Sequence, residues 1–308
     1  MTHVLFYKTI DSTQLEARRY IQGISSKINN EKKPHNKNNN NNESIVFVAK
    51  NQTNGIGRQN RGWKNRDSMS LLTTICIKKR TQNQSLNIMP IVAGVCVLRA
   101  LNIGAKRGIS NISLKWPNDL LHNGNKLGGI LTESFLDYFI IGIGINLLPH
   151  SNISGRVASS LSEAKCLPSY FNISNSLKQN VSEIYDEKNE LIYSRDYATD
   201  CKTNEIDDEC ADGSECNNGA SRESLIQLAG LLTKEIESEI ANIEINGASE
   251  VVNEWRKNAW GIGDTVSFHK SSDNIIAGKM INIDEDGGLL IEVENGDIKK
   301  FTIGEILL

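Results

Sequence analysis

Four short segments combine isolated cations and amides with glycines, in a pattern suited to holding two anions close together. They are GIGRQNRGW at residues 55–63, KWPNDL at 115–120, KLGGIL at 126–131 and GIGIN at 142–146. Glycine allows backbone N–H groups to approach an anion closely, and arginine makes charge-assisted hydrogen bonds to carboxylate or phosphate. Segments of this kind, if they converge, could hold a small carboxylic acid against a nucleoside triphosphate.

The first segment places Arg58 and Arg61 after the glycine pair Gly55 and Gly57. It differs from a dinucleotide-binding fingerprint because the third glycine is missing, and from a P-loop because the Gly-Lys-Ser/Thr ending is absent. A flexible surface loop with solvated arginines is one interpretation. An anion-binding loop is the other, and Trp63 favours it because a tryptophan in a polar loop needs something to cover.

The second and third segments offer charged or amide side chains at strand ends. Pro117 ends a strand, so Asn118 and Asp119 could reach a ribose, a phosphate or a hydrated Mg²⁺. The alternative for this pair is a structural Asx turn. Lys126 enters an apolar strand that is led by glycines, where a partly desolvated ammonium would attract an anion strongly. A hairpin lysine that points into solvent is an equally open interpretation.

The fourth segment is an apolar strand in which Gly142 and Gly144 lie on one face, because alternate residues of a strand share a face. Their missing side chains would leave a slot for a flat ligand, with the amide of Asn146 at its end to contact a ring edge. Close packing of the strand against a helix is the alternative.

Composition restricts the class of protein. With 308 residues, 39% of them hydrophobic and 23% charged, the chain can form one large and one small globular domain. The net charge of −3 and the lack of a long apolar run favour neither nucleic acid nor a membrane as a partner. Cys76 and Cys96 lie in apolar runs and are predicted to be buried thiols, so a reducing, cytoplasmic setting is expected.

Nucleophilic catalysis by a side chain is not predicted. The five histidines lie in unrelated contexts, and none is expected beside a Ser or Cys nucleophile of a known motif. His122 is expected to be a solvated turn residue. No spacing of metal ligands is recognisable either.

The residues around the four segments predict both helices and strands. Helical spacing or capping is found at 14–22, 88–103, 223–243 and 249–258, and strand patterns at 44–50, 70–78, 114–116, 128–134 and 138–145. Beyond residue 261, β-prone runs at 265–269, 275–283, 289–293 and 298–302 predict a small barrel-like β domain.

Two polar segments interrupt this pattern. Residues 29–42 are almost wholly Asn and Lys and predict a disordered insert. Residues 167–222 hold twelve acidic and five basic side chains, a net charge of −7. Because the whole chain has a net charge of −3, the remaining residues together carry +4. This second insert is expected to be a solvated and mostly disordered loop, beside a mildly basic ordered protein.

In this order and spacing, the four segments resemble the biotin–protein ligase family (biotin–[acetyl-CoA-carboxylase] ligase), over nearly the whole chain between Asp11 and Ile306. The resemblance implies an α+β fold: a class II aminoacyl-tRNA-synthetase-like mixed sheet with flanking helices over residues 1–258, and a small SH3-like β domain over 261–308. It also implies an activity. Biotin would be activated with ATP and Mg²⁺ as biotinyl-5′-AMP and transferred to a lysine of the biotin carboxyl-carrier domains of carboxylases.

The resemblance further implies which residues form the site. Those expected around biotin are Ser12, Thr13, Gln14, Gln52, Gly55, Ile56, Gly57, Arg58, Trp63, Lys126, Gly129 and Gly142. Those expected around ATP are Arg61, Asn118, Asp119, Lys126 and Asn146, with Asp119 as a candidate metal ligand and Lys126, Arg58 and Arg61 as catalytic groups. Relatives often carry Arg where this chain has Ile56, so one anion contact here would come from the backbone alone.

Two alternatives remain open. A lipoate or octanoate–protein ligase of the same superfamily would use the same fold on a different acid, and a biotin-binding regulator would use the pocket without turnover. The chain starts close to Ser12 and Thr13, which leaves no room for a DNA-binding helix-turn-helix, so no nucleic acid partner is expected. Either a monomer or a homodimer is compatible with the sequence.

Overall fold

The computed structural model describes residues 2–30, 44–64, 69–80, 86–103, 111–149, 158–164, 182–185, 191–194, 221–271 and 274–307. The helices in this part of the chain are α1 (Thr13–Asn30), α2 (Met89–Asn102), α3 (Arg222–Asn246) and α4 (Ser249–Lys257). The strands that precede α3 are β1 (Thr2–Ile10), β2 (Ser44–Gln52), β3 (Gly55–Ile56), β4 (Gly62–Trp63), β5 (Ser70–Lys78), β6 (Ile112–Lys115), β7 (Asp119–His122), β8 (Asn125–Phe135), β9 (Tyr138–Asn146), β10 (Ser182–Tyr185) and β11 (Leu191–Ser194).

Nine of these strands form one mixed sheet in the order β10-β11-β1-β2-β5-β9-β8-β7-β6. β1 and β2 run parallel and are joined by α1, which is the crossover helix that a parallel connection requires. The other neighbouring strands described in this sheet are antiparallel. β3 and β4 pair only with each other in a separate hairpin within the described residues.

The centre of the large sheet is buried on both faces. On β2, Val46 and Val48 pack into the core on the side of α2 and α3, whereas Phe47 packs with Ala17 and Ile21 of α1 on the other side. Because the side chains on both faces of β2 are buried, its sequence is a continuous apolar run instead of an alternating pattern. This is why its sequence was readable as a strand only from its β-branched and aromatic content.

Helices α2, α3 and α4 pack together on one face of the sheet. α2 is buried along almost its whole length, as its nearly uninterrupted apolar sequence predicts. Its one charged residue, Arg99, forms ion pairs with Glu239 of α3 and Glu254 of α4, with the nearest N–O distance 2.5 Å in each pair. These contacts join the three helices at one end.

The C-terminal residues form a second, antiparallel sheet. Its strands are β12 (Thr265–Ser271), β13 (Asn274–Ile283), β14 (Leu289–Glu292), β15 (Ile298–Phe301) and β16 (Glu305–Ile306), in the order β15-β14-β13-β12-β16. Trp116 joins it to the main sheet: its ring centroid lies 5.9 Å from that of Phe268, and its Nε1 donates to the Gly287 carbonyl at 2.9 Å. The tryptophan of the KWPND segment is therefore a packing anchor.

The predicted α+β class and most predicted elements are confirmed, with shifts at their ends. Strands β1, β3, β4, β7 and β16 were not predicted: β1 precedes the first recognisable motif, and the other four are too short to show a period. α1 continues to Asn30, well past the predicted end at Gln22. Cys76 and Cys96 are buried, as expected, and burial raises the pKa of both thiols.

Two short strands within the acidic insert were not predicted, and the expectation of a mostly disordered loop is not tested by the described residues. β10 and β11 pair with each other, and β11 also pairs with β1, so these two short strands extend the main sheet. The edge of β1 offers backbone donors and acceptors, and the β-prone run Leu191–Ser194 can use them despite its polar surroundings. Residues 31–43 and most of 167–222 lie outside the described residues. Among the described helices, none has both the length and the apolar character needed to span a bilayer.

Candidate ligand pocket

A cavity of about 250 Å³ lies between the start of α1, the β3–β4 hairpin, the centre of the main sheet and β16. It collects nearly all the residues that the sequence predicted for a site: Ser12, Thr13, Gln14, Gln52, Ile56, Gly57, Arg58, Arg61, Trp63, Asn118, Asp119, Lys126, Gly129, Gly142 and Asn146. Gly55 is the one predicted residue outside the lining. The structure therefore brings together segments that are far apart in the chain. One end of the cavity is polar and uncharged, and the other carries charged side chains.

The glycine segment forms a closed hairpin instead of a flexible loop. Gly55 pairs with Trp63, and the Gly57 amide donates to the Arg61 carbonyl at 2.7 Å. A Cβ atom added at Gly55 would lie 2.7 Å from the Trp63 carbonyl oxygen, so a side chain there would push the two strands apart. Gln59 turns the chain with a φ of 56°, in the left-handed region. The hairpin presents Arg58 and Trp63 to the cavity.

One end of the cavity is a buried, uncharged polar floor. Gln52 Oε1 accepts from the backbone amide of Thr13 at 2.7 Å and from its hydroxyl at 3.1 Å. The Thr74 hydroxyl lies 2.9 Å from Thr13 Oγ1 and 3.3 Å from Gln14 Oε1. Ser12 is almost fully buried, and its hydroxyl has no hydrogen-bond partner among the described residues. A buried hydroxyl left in this state indicates a polar ligand atom or a water at this floor.

Trp63 lies over the glycines of the central strands. A Cβ atom added at Gly144 would lie 2.6 Å from the indole ring, and one at Gly129 would lie 3.3 Å from it. A Cβ atom at Gly142 would come within 2.4 Å of Gln14 Oε1. The space over the two glycines of β9 is filled by the side chains of Trp63 and Gln14, and the Gln14 contact is the close strand–helix packing given as the alternative. A slot for a flat ligand there stays a prediction. The indole Nε1 is buried, again without a partner among the described residues.

The opposite end of the cavity carries a compact charge cluster. Lys126 Nζ lies 2.6 Å from Asp119 Oδ1 and 6.0 Å from the centre of the Trp63 ring. A β-bulge aims the lysine: β7 and β8 shift register between Leu120 and Leu121, which leaves one extra residue on β8 next to Lys126. The lysine is thus partly desolvated against an aromatic face, and the alternative of a fully solvated hairpin lysine is wrong.

The two arginines contact the C-terminal sheet. Arg58 donates to the side-chain oxygen of Asn118 and to the Gly304 carbonyl, both at 3.2 Å. Burial lowers the pKa of its guanidinium, while the negative charges of Glu305 and Asp119 oppose this effect. Arg61 is more exposed and bonds Glu305 at 2.6 Å, which raises the pKa of Arg61. Both guanidinium groups lie at one mouth of the cavity.

The two asparagines have fixed amide orientations. Asn118 Nδ2 donates to the Ile130 carbonyl at 2.6 Å, and its oxygen accepts from Arg58. Asn146 Nδ2 faces the carbonyls of Ser159 at 3.0 Å and Lys126 at 3.5 Å. Because its nitrogen is engaged by the protein, the side-chain oxygen of Asn146 is the group left for a ligand. For Asn118, these contacts reach beyond the local ones of an Asx turn.

The expectation for His122 is wrong. The ring is buried in β7 and its Nδ1 lies 2.7 Å from the Ser159 hydroxyl, so a histidine does lie beside a serine. The contact spans 37 positions of the chain and joins β7 of the main sheet to residues 158–164, which no local motif could reveal. Neither side chain lines the cavity.

Two residues of the pocket, Thr74 and Glu305, and one residue beside it, Lys115, escaped the sequence analysis. Lys115 is almost fully buried with its Nζ 3.9 Å from Asp119 Oδ2, although the sequence showed it only as the end of a strand. A lysine at the end of the apolar run 112–114 was the available signal. Thr74 contributes its hydroxyl from the middle of β5, and Glu305 approaches from the C-terminal sheet. Their roles depend on contacts across the fold, which spacing does not encode.

The described residues do not offer a dedicated Mg²⁺ site. No group of three or more His, Cys, Asp or Glu side chains with a suitable arrangement occurs among them. Asp119, the expected ligand, already binds Lys126, and one carboxylate is the minimum that Mg²⁺ uses when substrate phosphates supply the rest. Metal binding by Asp119 therefore stays a prediction.

Comparisons with known proteins match part of the chain. Residues 20–146 match the sequence model of the Biotin/lipoate A/B protein ligase family. A Bifunctional ligase/repressor BirA of Bacillus spizizenii is 30% identical over 171 residues, which are 53% of this chain and 47% of the relative. A Biotin--[acetyl-CoA-carboxylase] ligase of Mycobacterium tuberculosis is 30% identical over 106 residues, 34% of this chain and 40% of the relative. The chain thus spans about half the length of the curated relatives it matches.

Solved structures match over more of the chain. A biotin protein ligase from Aquifex aeolicus, in complex with biotin and ATP, superposes with a TM-score of 0.61 at 21% identity and covers 99% of this chain and 97% of its own. One from Leishmania major, in complex with biotinyl-5-AMP, gives a TM-score of 0.53 at 18% identity, with 97% and 98% covered. These likenesses show a shared fold. The family model matches residues 20–146, which is less than half of the chain, so over that part the chain is similar to the biotin/lipoate A/B protein ligase family.

Proposed function

We propose that the protein is an ATP-dependent ligase that activates biotin as biotinyl-5′-AMP and transfers it to a lysine of biotin carboxyl-carrier domains of carboxylases. The observation that carries this proposal is the two-ended cavity. Its buried uncharged floor at Ser12 and its cationic mouth at Arg58 and Lys126 share one space of about 250 Å³. That arrangement suits a ligand with a neutral polar ring at one end and a carboxylate at the other, next to a nucleotide.

The floor suits the ureido ring of biotin, which needs both donors and acceptors. The Ser12 hydroxyl is buried without a described partner, and the Thr13 and Gln52 side chains are already ordered by one another. Apolar walls from Leu131 and Ile143 would cover the rest of the bicyclic ring. Because these groups are fixed before binding, little ordering cost remains for the ligand.

The opposite end suits ATP. The Asn146 amide nitrogen is held by two carbonyls, so its oxygen can accept from the exocyclic amine of adenine. A guanine would place a carbonyl oxygen at that position and leave two acceptors facing each other, which costs free energy when buried. Mg²⁺ is taken to arrive with the ATP phosphates as part of that substrate.

The reaction begins when a carboxylate oxygen of biotin attacks the α-phosphorus of ATP. The bond between the α-phosphorus and the bridging oxygen breaks, and pyrophosphate leaves. Two anions must meet for this step, and the ammonium of Lys126 together with the guanidinium of Arg58 would lower their repulsion and stabilise the charge that develops on the phosphate. Arg61 would add to this field when a phosphate replaces Glu305 as its partner.

The second step is aminolysis of the mixed anhydride. The acceptor lysine amine attacks the acyl carbon, AMP leaves with the electrons of the broken C–O bond, and the amine loses a proton to solvent. Water would compete for the same carbon. The β3–β4 hairpin, with Trp63 packed on the sheet, is proposed to exclude it.

The same proposal extends to the architecture. We take residues 1–258 as a catalytic domain of the class II synthetase-like type and 261–308 as an SH3-like domain, which the order of the five antiparallel strands supports. The cytoplasm is the proposed setting, because it supplies ATP and keeps thiols such as Cys76 and Cys96 reduced.

The experiment that tests this function is biotin-dependent pyrophosphate release. The purified protein is incubated with MgATP and either biotin or lipoate, and then with a carrier domain. Release with biotin, followed by a mass gain of one biotinyl group on the carrier, supports the proposal. Release only with lipoate would assign the lipoate-ligase alternative, and biotin binding without any release would assign the regulator.

A further inference from the structure

A chain of hydrogen bonds runs behind the nucleotide end of the cavity. The side-chain amide of Asn123 lies 3.1 Å from His122 Nε2, His122 Nδ1 lies 2.7 Å from Ser159 Oγ, and Ser159 Oγ lies 3.2 Å from Glu163 Oε2. None of the four residues lines the cavity. His122 and Ser159 are buried, and the chain ends at the exposed carboxylate of Glu163.

The direction of this chain follows from its chemistry. An ionised carboxylate only accepts, so the Ser159 hydroxyl donates its proton to Glu163. Ser159 Oγ must then accept from His122, which places the ring proton on Nδ1. Nε2 is left as an acceptor, and the Asn123 amide donates to it. This tautomer cannot take a proton from Ser159, so the two residues do not form a nucleophile–base pair. The hydrogen-bond chain Asn123–His122–Ser159–Glu163, called the strut below, has a structural role instead.

The strut holds a backbone segment that contacts two residues of the nucleotide end. The Ser159 amide donates to the Lys126 carbonyl at 2.8 Å, and the Ser159 carbonyl accepts from Asn146 Nδ2 at 3.0 Å. The same segment is anchored a second time where the Leu161 amide donates to the Asn146 carbonyl at 2.9 Å. The position of Ser159 therefore sets which way the Asn146 amide faces.

We propose that His122 and Ser159 are positioning residues for the nucleotide. Their side-chain contact holds the Ser159 backbone carbonyl in place, so that Asn146 presents its side-chain oxygen to the base. This inference rests on the proposed function, because it assigns the base to the Asn146 end of the cavity. Neither His122 nor Ser159 contacts the substrate; both act through Asn146. If these side-chain contacts are broken, the Ser159 carbonyl is held by its backbone contacts alone, the Asn146 amide is oriented less firmly, and both affinity for ATP and discrimination against GTP decline.

The test compares four variants of the full chain. His122→Phe keeps a ring of similar size without the donor, and Ser159→Ala removes the hydroxyl with little loss of volume. His122→Asn retains an N–H donor near the Nδ1 position. Thr233→Val removes a buried hydroxyl of α3 that bonds the Ala229 carbonyl at 2.8 Å, so it is a matched control away from the cavity.

The measurements are KM and kcat for biotin-dependent pyrophosphate release, and the dissociation constant of a non-hydrolysable ATP analogue. In His122→Phe and Ser159→Ala, we expect KM for ATP and that dissociation constant to rise about tenfold, with KM for biotin and kcat within about twofold of the parent. His122→Asn should recover most of the loss, and the preference for ATP over GTP should narrow only in the two damaging variants.

The outcomes separate this inference from the proposed function. If His122→Phe and Ser159→Ala bind ATP as Thr233→Val does, the positioning role is wrong while the ligase function stands. If the parent binds the ATP analogue but never releases pyrophosphate with biotin, the ligase function fails and the dissociation constants alone decide the positioning role. If the parent does not bind the analogue, both fail.

Discussion

Arg61 and Glu305 lie 244 positions apart in the chain and form an ion pair of 2.6 Å that joins the β3–β4 hairpin to the C-terminal sheet. Both residues line the cavity. β16 of the C-terminal sheet therefore contributes to a pocket whose other walls come from the main sheet, α1 and the β3–β4 hairpin. An anionic ligand that binds Arg61 would have to displace the Glu305 carboxylate.

Glu305→Gln should weaken the attachment of the hairpin and allow the acyl-adenylate to escape. Arg61 is about half exposed, so the pair contributes little free energy, and we expect a two- to fivefold faster release of free biotinyl-5′-AMP, roughly what 0.5–1 kcal/mol gives. The measurement is the rate at which adenylate appears in solution without a carrier domain. Glu294→Gln, an exposed carboxylate on the same domain, is the control, and an equal release rate in the two variants would contradict the prediction.

Gly144→Ala should disable the pocket without unfolding the protein. The added methyl carbon would lie 2.6 Å from the Trp63 ring, so the indole must leave its place over the sheet. We expect adenylate formation to fall at least about tenfold, as the loss of positioning and water exclusion implies. Gly23→Ala is the matched control, because its methyl group meets no atom within 4 Å and lies in helix α1. Parental activity in Gly144→Ala would show that Trp63 is not needed where it lies.

Arg99→Met should destabilise the helix layer. It would leave Glu239, whose side chain is only 4% exposed, without its partner, and breaking such a pair costs about 3 kcal/mol. Urea unfolding measures the loss. Replacing Glu239 by Met as well should restore part of it, because no buried charge then remains. A double variant that is less stable than Arg99→Met alone would disprove this explanation.

Stability should decline in acid partly through Asp11. Hydrogen bonds from Arg19 hold the pKa of Asp11 below its ordinary value of 3.8, and the Ser12 amide adds to this effect. A carboxyl group with a depressed pKa stabilises the fold above 3.8 and loses that contribution as the pH falls through its lower folded value. Asp11→Asn should therefore cost up to about 1 kcal/mol at pH 7, since the pair is exposed, and nothing once the parent carboxyl is protonated.

The measurement for Asp11 is the free energy of unfolding of parent and variant, from pH 7 down to a pH at which the Asp11 carboxyl of the parent is protonated. Asp264→Asn, an exposed carboxylate just before β12, is the control. A difference between parent and Asp11→Asn that does not shrink in acid would rule out this ion pair as its cause.

The sequence predicted those parts of the site whose chemistry is local. Gly142 and Gly144 share a face because they are two residues apart on one strand, and Lys126 stood out as a cation in an apolar run. His122 with Ser159, and Arg61 with Glu305, could not be predicted, since each pair meets only through the order of strands in the folded sheets. β10 and β11 were missed because their short apolar runs are surrounded by acidic sequence that is typical of disorder.

Pyrophosphate release by the parent and by Lys126→Ala, with biotin and MgATP, tests the central claim most directly. Lys126 Nζ lies at the charged end of the cavity, 2.6 Å from Asp119, where the two anionic substrates would meet. We expect the parent to release pyrophosphate only when biotin is present, and Lys126→Ala to do so about 10²–10³-fold more slowly, as for the removal of one preorganised donor. Lys234→Ala on the exposed side of α3 should match the parent. An unchanged rate in Lys126→Ala, with the fold intact by circular dichroism, would contradict the account.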